Sequence, residues 1–177
     1  TPSYNKLIIS FYLRKKNFKS VKKLIENLDV INDDKLESNK IKIPVCCDEK
    51  FSLDITRLEE KLKISRDKIY EKFFNKEFFC YMTGFIAGMP FLGDLETELR
   101  AKRLETPRVK VPKGSVGLTE QCANIYTFES PGGWNIIGNT PSVIFDSSKE
   151  NNPNLINPGD VFIFEQITKA QYNSYNE

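Results

Sequence analysis

Apolar and polar side chains alternate between Tyr4 and Tyr12, a segment rich in β-formers in which Leu7, Ile9 and Phe11 would share one face of a strand. The period then changes. Phe18, Val21, Leu24, Ile25 and Leu28 recur at three- and four-residue steps with lysines between them, which predicts a helix packed along one stripe and solvated on the other. The polar run NDDKLESNK leads to IKIPVCC, a second strand with Ile41, Ile43 and Val45 on one side. Residues 1–46 therefore read as strand, helix, strand. A βαβ piece of this size leaves one sheet face uncovered, so we expect it to be the carboxy-terminal half of a small α/β domain whose upstream half lies outside this sequence.

Residues 47–177 have a different texture. A pair of helices comes first: Asp54 precedes Ile55, Leu58 and Leu62, and Ser65 is placed to cap RDKIYEKFF, where Ile69 and Phe73 face inward. After Glu77, Gly and Pro punctuate short β-rich runs: FFCYMTGF, ANIYTFE, WNIIG, SVIFD and DVFIFEQI. The NPGD corner at Asn157 to Asp160 sets Pro where its fixed φ suits a turn and Gly where a positive φ is needed. No long helical pattern interrupts this half, which predicts an all-β barrel or sandwich.

Composition narrows the chemistry. The chain has 26 basic and 24 acidic side chains, so its net field offers little to a nucleic-acid backbone or an anionic membrane. The helix pair resembles a helix-turn-helix, but Asp67 and Glu71 alternate with Arg66, Lys68 and Lys72 on the second helix, which argues against DNA reading. There is no histidine, which removes the usual zinc ligand and the usual triad base. The cysteines, Cys46, Cys47, Cys80 and Cys122, form no C-x-x-C pair, so we expect free thiols of a reducing cytoplasm. The uncharged run from Phe78 to Gly93 is too short and too broken by Gly84, Gly88 and Pro90 to span a membrane, and the amino-terminal segment does not read as a secretion signal. No phosphate-binding G-x-x-x-x-G-K-[ST] loop and no metal-ligand spacing occur.

Four sequence words, GFIAGMPFLGDL, TPRVKVPKGSVG, NIYTFESPGGWNIIGNTP and NPGDVFIFEQI, follow one another at close spacing. Together they resemble the family containing the B-type subunit of 5-oxoprolinase, allophanate hydrolase subunit 1 and the sporulation-kinase inhibitor (KipI) of Bacillus. The resemblance covers nearly all of Tyr4 to Tyr172. It implies an α+β architecture: a partial ferredoxin-like α/β amino-terminal domain followed by a cyclophilin-like β-barrel. It also implies a cytoplasmic, non-autonomous subunit of an ATP-dependent lactam hydrolase that opens 5-oxo-L-proline to L-glutamate with a related cyclophilin-like barrel protein and a third subunit, ATP being bound mainly by those partners. Two alternatives stay open, an inhibitor of a sensor histidine kinase and the carboxyltransferase lobe of a biotin-dependent urea or amide carboxylase.

The site expected from these words centres on SPGGW. Gly132 and Gly133, after Ser130 and Pro131, would let backbone amides approach a ligand, and Trp134 would either wall the site or plug the barrel. Arg108, held by Pro107, is a candidate clamp for a carboxylate, with a surface ion pair as its alternative. Ser115 could donate a hydroxyl or cap its turn, and Tyr126 could bond a ligand or anchor a strand. Thr140 lies in the IGNTP word, and Gly88, Pro90 and Phe91 match the family's Gly-Phe-Pro-Tyr-Leu, with Phe91 where tyrosine is common. The chain departs from the family at Cys122, Ala123 and Asn124, where Gln-Thr-Gly is common, and at Asn139, where arginine is usual. Cys122 raises the prospect of a nucleophile, although no cation or histidine in the sequence pattern would lower its pKa.

Overall fold

The computed structural model describes residues 2–4, 6–28 and 40–175. The chain divides into two compact units, residues 1–37 and 38–177. In the first unit the strand expected over Tyr4 to Tyr12 is much shorter: β1 (Pro2–Ser3) and β2 (Lys6–Leu7) form a minimal antiparallel pair, and the described residues show no further helix or strand until residue 18. The helix is present as α1 (Phe18–Glu26). Asn17 opens it by accepting from the Ser20 amide, while the Ser20 hydroxyl accepts from the Asn17 amide. Its apolar stripe, expected to pack, is largely exposed, with Phe18 at 70% and Leu24 at 52%. The connection around residues 29–39 lies outside the described residues.

The second unit begins at residue 38, ahead of the boundary expected after residue 46. The segment IKIPVCC, assigned from its pattern to the amino-terminal piece, is β3 (Lys40–Cys46), and it runs inside the barrel. Pattern alone identifies a strand but not its neighbours, and here the neighbours lie far along the chain. Two helices follow, α2 (Ile55–Leu62) and α3 (Arg66–Phe74), the latter capped by Ser65, whose hydroxyl accepts from the Lys68 amide. Then come β4 (Glu77–Thr83), β5 (Pro90–Gly93), a 3-10 turn at Thr97–Leu99, β6 (Arg108–Val111), β7 (Ser115–Leu118), β8 (Ala123–Ile125), β9 (Ser130–Gly132), β10 (Asn135–Asn139), β11 (Val161–Ile167) and α4 (Lys169–Ser174).

Seven strands close into a barrel in the order β10-β3-β11-β4-β5-β8-β7. Among these strands every pairing is antiparallel except β3 with β11, which run parallel in register from Lys40 opposite Val161 to Cys46 opposite Ile167. The fold is thus mixed α+β around a seven-stranded barrel. SVIFD, expected as a strand, contributes only an isolated bridge between Phe145 and Asn154. The NPGD corner forms as read: the Asp160 amide donates to the Asn157 carbonyl, and Gly159 takes φ +100°.

The helix pair closes the core against the barrel. Phe73 of α3 stacks on Phe164 at 4.9 Å and lies 5.1 Å from Phe78, and all three rings are essentially inaccessible to water. Asp54 stands at the start of α2 without capping it. Its backbone amide donates to the Ile136 carbonyl, and its carboxylate accepts from the Ile136 amide at 2.7 Å, so the helix entrance is spliced onto β10. The four cysteines are free. Among the described residues no helix is long and apolar enough to cross a membrane.

Candidate functional site

Outside the closed barrel, β6 and β9 pair as a two-stranded ribbon that sets Arg108 opposite Gly132. The ribbon delivers the Pro-Gly-Gly corner to the edge of a cleft of about 300 Å³. Phe91, Tyr126, Gly132, Gly133 and Trp134, expected from sequence, meet there with Phe85, Met89, Arg103, Pro107 and Pro131.

Tyr126 and Gly132 explain each other. A Cβ on Gly132 would collide with the Tyr126 hydroxyl, so the backbone can press against the phenol only because that position has no side chain. Gly133 is not constrained in this way, since a Cβ there would make ordinary contact with Pro107. Burial pushes the Tyr126 hydroxyl above its ordinary pKa, against the opposite pull of the Asn124 side chain, the Trp134 backbone and the charges of Arg103 and Arg108. Tyr126 therefore stays protonated around neutral pH and remains a donor.

Trp134 is 5% exposed. Most of the indole is packed, with the Phe91 ring edge-on at 5.7 Å, while the remainder lines the cleft. The Arg103 guanidinium stands 5.5 Å from the indole centroid, a cation over an aromatic face. Among the described residues Arg103 is also the only charged side chain lining the cleft. Sequence reasoning missed it. The signal was the basic cluster in LRAKRLETPR, which carries no motif and gains its meaning only when the Leu104 amide bonds to the Gly133 carbonyl at 2.7 Å and ties that segment to the corner.

Of the two readings of Arg108, a clamp for a ligand carboxylate or an ion pair, the structure shows an ion pair, although with a buried carboxylate of its own chain. Its Nη2 lies 2.6 Å from Asp54 Oδ1, and Asp54 is 4% exposed. The pair ties the ribbon to the α2–β10 junction and leaves Arg108 as support for the corner. Ser115, Ser130 and Thr140 are buried but do not line the cleft, and Thr140 Oγ1 accepts from the Ser142 amide. Gly88 and Pro90 shape the approach to β5 without lining the cleft. Gly88 takes φ +67°, and a Cβ there would fall 2.5 Å from the Phe145 ring.

Cys122 also lies outside the lining residues. Burial pushes its thiol up, and the nearby Arg103 charge only partly opposes that shift, which removes the basis for a reactive thiolate. Asn139, where the resemblance led to an expectation of arginine, has a structural use: it accepts from the Tyr172 hydroxyl of α4 at 2.7 Å and donates to the Lys113 carbonyl at 2.8 Å. Among the described residues no cluster of three or more His, Cys, Asp or Glu could hold a metal ion.

Comparison with known proteins gives this geometry a family. The profile of the carboxyltransferase domain, subdomain C and D, matches residues 1–156. The chain is 33% identical over 162 residues to the B-type 5-oxoprolinase subunit of Bacillus subtilis, covering 90% of this chain and 67% of that protein. It is 36% identical over 133 residues to the corresponding 5-oxoprolinase subunit of Haemophilus influenzae, covering 74% of this chain and 62% of that one. The crystal structure of a conserved uncharacterized protein from Pyrococcus horikoshii superposes with a TM-score of 0.71 at 35% identity, covering 75% of this chain and 61% of that chain. The urea amidolyase of K. lactis, at 22% identity and a TM-score of 0.65 over 77% of this chain and 10% of its own, shares the fold. The chain thus spans about two thirds or less of the length of each of these relatives. A profile match over most of the chain, together with identity above 30% to the B-type 5-oxoprolinase subunits of two bacteria, assigns it: the chain belongs to the carboxyltransferase-domain family that includes those 5-oxoprolinase subunits.

Proposed function

We propose that this chain is the B-type component of an ATP-dependent 5-oxoprolinase, which hydrolyses 5-oxo-L-proline to L-glutamate together with partner subunits. The observation that carries this reading is the cleft itself: walls of Phe91, Met89 and Trp134, with Arg103 as the one charged neighbour among the described residues. A flat five-membered lactam with a single carboxylate is complementary to that arrangement. Its ring lies against the indole and phenyl faces, and its carboxylate meets the guanidinium. In this reading Tyr126, kept protonated by burial, donates to the lactam oxygen. The chain supplies binding and orientation, and the water and the phosphoryl chemistry of ATP are handled with a related cyclophilin-like barrel protein and a third subunit. In this reading the barrel is cyclophilin-like, and residues 1–37 belong to a ferredoxin-like domain.

The matched subdomains favour one alternative, a carboxyltransferase lobe acting with biotin on urea or a related amide. One experiment separates the two. The intact protein is purified with its partner subunits, and ATP-derived phosphate release is measured with 5-oxoproline in bicarbonate-free, biotin-free buffer. Release that requires 5-oxoproline and yields stoichiometric glutamate is the expected result. Release that requires bicarbonate and a biotinyl carrier would replace the lactam reading with the carboxyltransferase one.

A further inference from the structure

A second cleft, of about 320 Å³, adjoins the first through their shared residue Arg103. Five of its lining side chains are cations, Arg57, Lys61, Arg100, Lys102 and Arg103, against a single carboxylate among the described residues, Glu105. We propose that these five residues form a binding site for a phosphoryl group, carried by a nucleotide or by a phosphorylated small molecule. The proposal goes beyond the lactam reading and does not depend on it.

The charge pattern is the first reason. Among the described residues none of the five meets a carboxylate within ion-pair distance, whereas Arg66, Lys72, Arg108, Lys110, Lys149 and Lys169 all do. In a chain with nearly balanced charge, five cations gathered around one concavity without such pairs repel one another, and a bound dianion relieves that repulsion. Preorganisation is the second. Arg57 donates to Asn135 Oδ1 and reaches the Lys102 and Arg103 carbonyls, while Arg100 Nε donates to the Leu95 carbonyl at 3.0 Å, which fixes the plane of its guanidinium. Three planar guanidinium groups held at one concavity match the several oxygens of a tetrahedral phosphate better than they match a single extended acidic side chain. The Arg57 bond to Asn135 also ties the site to β10, one of the closed barrel strands.

The structure supplies its own reporter. Trp134 is the sole tryptophan and lies under Arg103, so an anion that draws the guanidinium toward the basic cleft changes the environment of the indole. The full-length protein is titrated at constant ionic strength with inorganic phosphate and, separately, with ATP, following Trp134 fluorescence and calorimetric heat. The expected result is saturable binding of at least one of them in the millimolar range or tighter. The K61A/K102A double variant should weaken that binding by about tenfold or more. Lys110→Ala, whose side chain pairs with Glu129 outside the cleft, should leave it unchanged.

ATP binding well ahead of phosphate assigns the group to a nucleotide, and equal affinities assign it to a phosphorylated small molecule. The proposal falls if neither ligand binds saturably, if K61A/K102A binds both as the unaltered protein does, or if a polyglutamate peptide binds while phosphate and ATP do not. A parallel titration of K61A/K102A with 5-oxoproline keeps the two readings apart, because those two lysines line the basic cleft and not the apolar one, whereas Arg103 lines both.

Discussion

The two units of this chain use the same amphipathic grammar with opposite results. In α1, Phe18 and Leu24 belong to a stripe at helical spacing that runs on to Leu28, and the three remain 70%, 52% and 66% exposed. In α3, Ile69 and Phe73 recur at the same spacing and are both completely buried. The helices are equal in length, and each is capped by a polar side chain. What differs is the packing of the stripe: Phe73 of α3 meets Phe78 and Phe164 of the barrel, while Phe18 and Leu24 stay more than half exposed. An apolar period specifies which way a helix would like to face, and only tertiary context determines whether anything is there to face.

The contrast can be broken most directly by truncating one ring from each helix. Phe73→Ala should cost the barrel about 3–5 kcal/mol, by lost transfer energy plus the cavity left among its ring neighbours. Phe18→Ala should change stability by no more than about 0.5 kcal/mol, as for an exposed surface site. Urea denaturation of both variants reads the difference, and equal losses would mean that the α1 stripe is covered in solution.

The next largest effect is expected at Asp54, where one carboxylate serves both Arg108 and the Ile136 amide. Asp54→Asn should destabilise the second unit by about 3 kcal/mol, because it leaves a partly buried guanidinium without its countercharge. The same variant should loosen the β6–β9 ribbon, seen as faster amide exchange at Ser130, Gly132 and Gly133. Gly132→Ala follows, with an expected loss of about 1–3 kcal/mol from forcing a methyl group against the Tyr126 hydroxyl. Its cleft should also bind 5-oxoproline more weakly by calorimetry, whereas Gly133→Ala, which meets only ordinary contacts, should not.

The smallest effect near neutrality concerns pH. Burial pushes the Cys47 and Cys80 thiols up from an ordinary value of 9.0 to about 12. A thiol whose pKa is higher in the folded state binds its proton more tightly there than in the unfolded chain. Its contribution is therefore fully present below pH 9.0 and is lost progressively toward about 12. Urea midpoints should be flat on this account from about pH 6 to 8 and fall above about 9, with a shallower fall in a C47A/C80A variant.

Much of the barrel was readable because its signals are local. Ser65 caps the helix it was expected to cap, and the NPGD corner turns on the Gly that needs positive φ. Phe91, Tyr126, Gly132, Gly133 and Trp134 do meet around one cleft. What could not be read depended on pairing across sequence distance. The place of β3 is set by β11 and β10, not by the alternation of Ile41, Ile43 and Val45. For Arg108 a ligand clamp and an ion pair stayed open because Asp54, with which it pairs, lies 54 positions earlier. Arg103 was passed over because a basic cluster on a connection looks like ordinary solvated surface until the fold places one of its members over an indole.

The parallel junction of β3 with β11 also bears on how the protein is made. Its two strands lie about 120 residues apart, so on a ribosome the first waits, unpaired on that side, until nearly all of the second unit has been synthesised. The unpaired backbone of β3 is an open strand edge during that interval, and this late encounter, rather than the quick local hairpins, is expected to be the slow step in sealing the barrel.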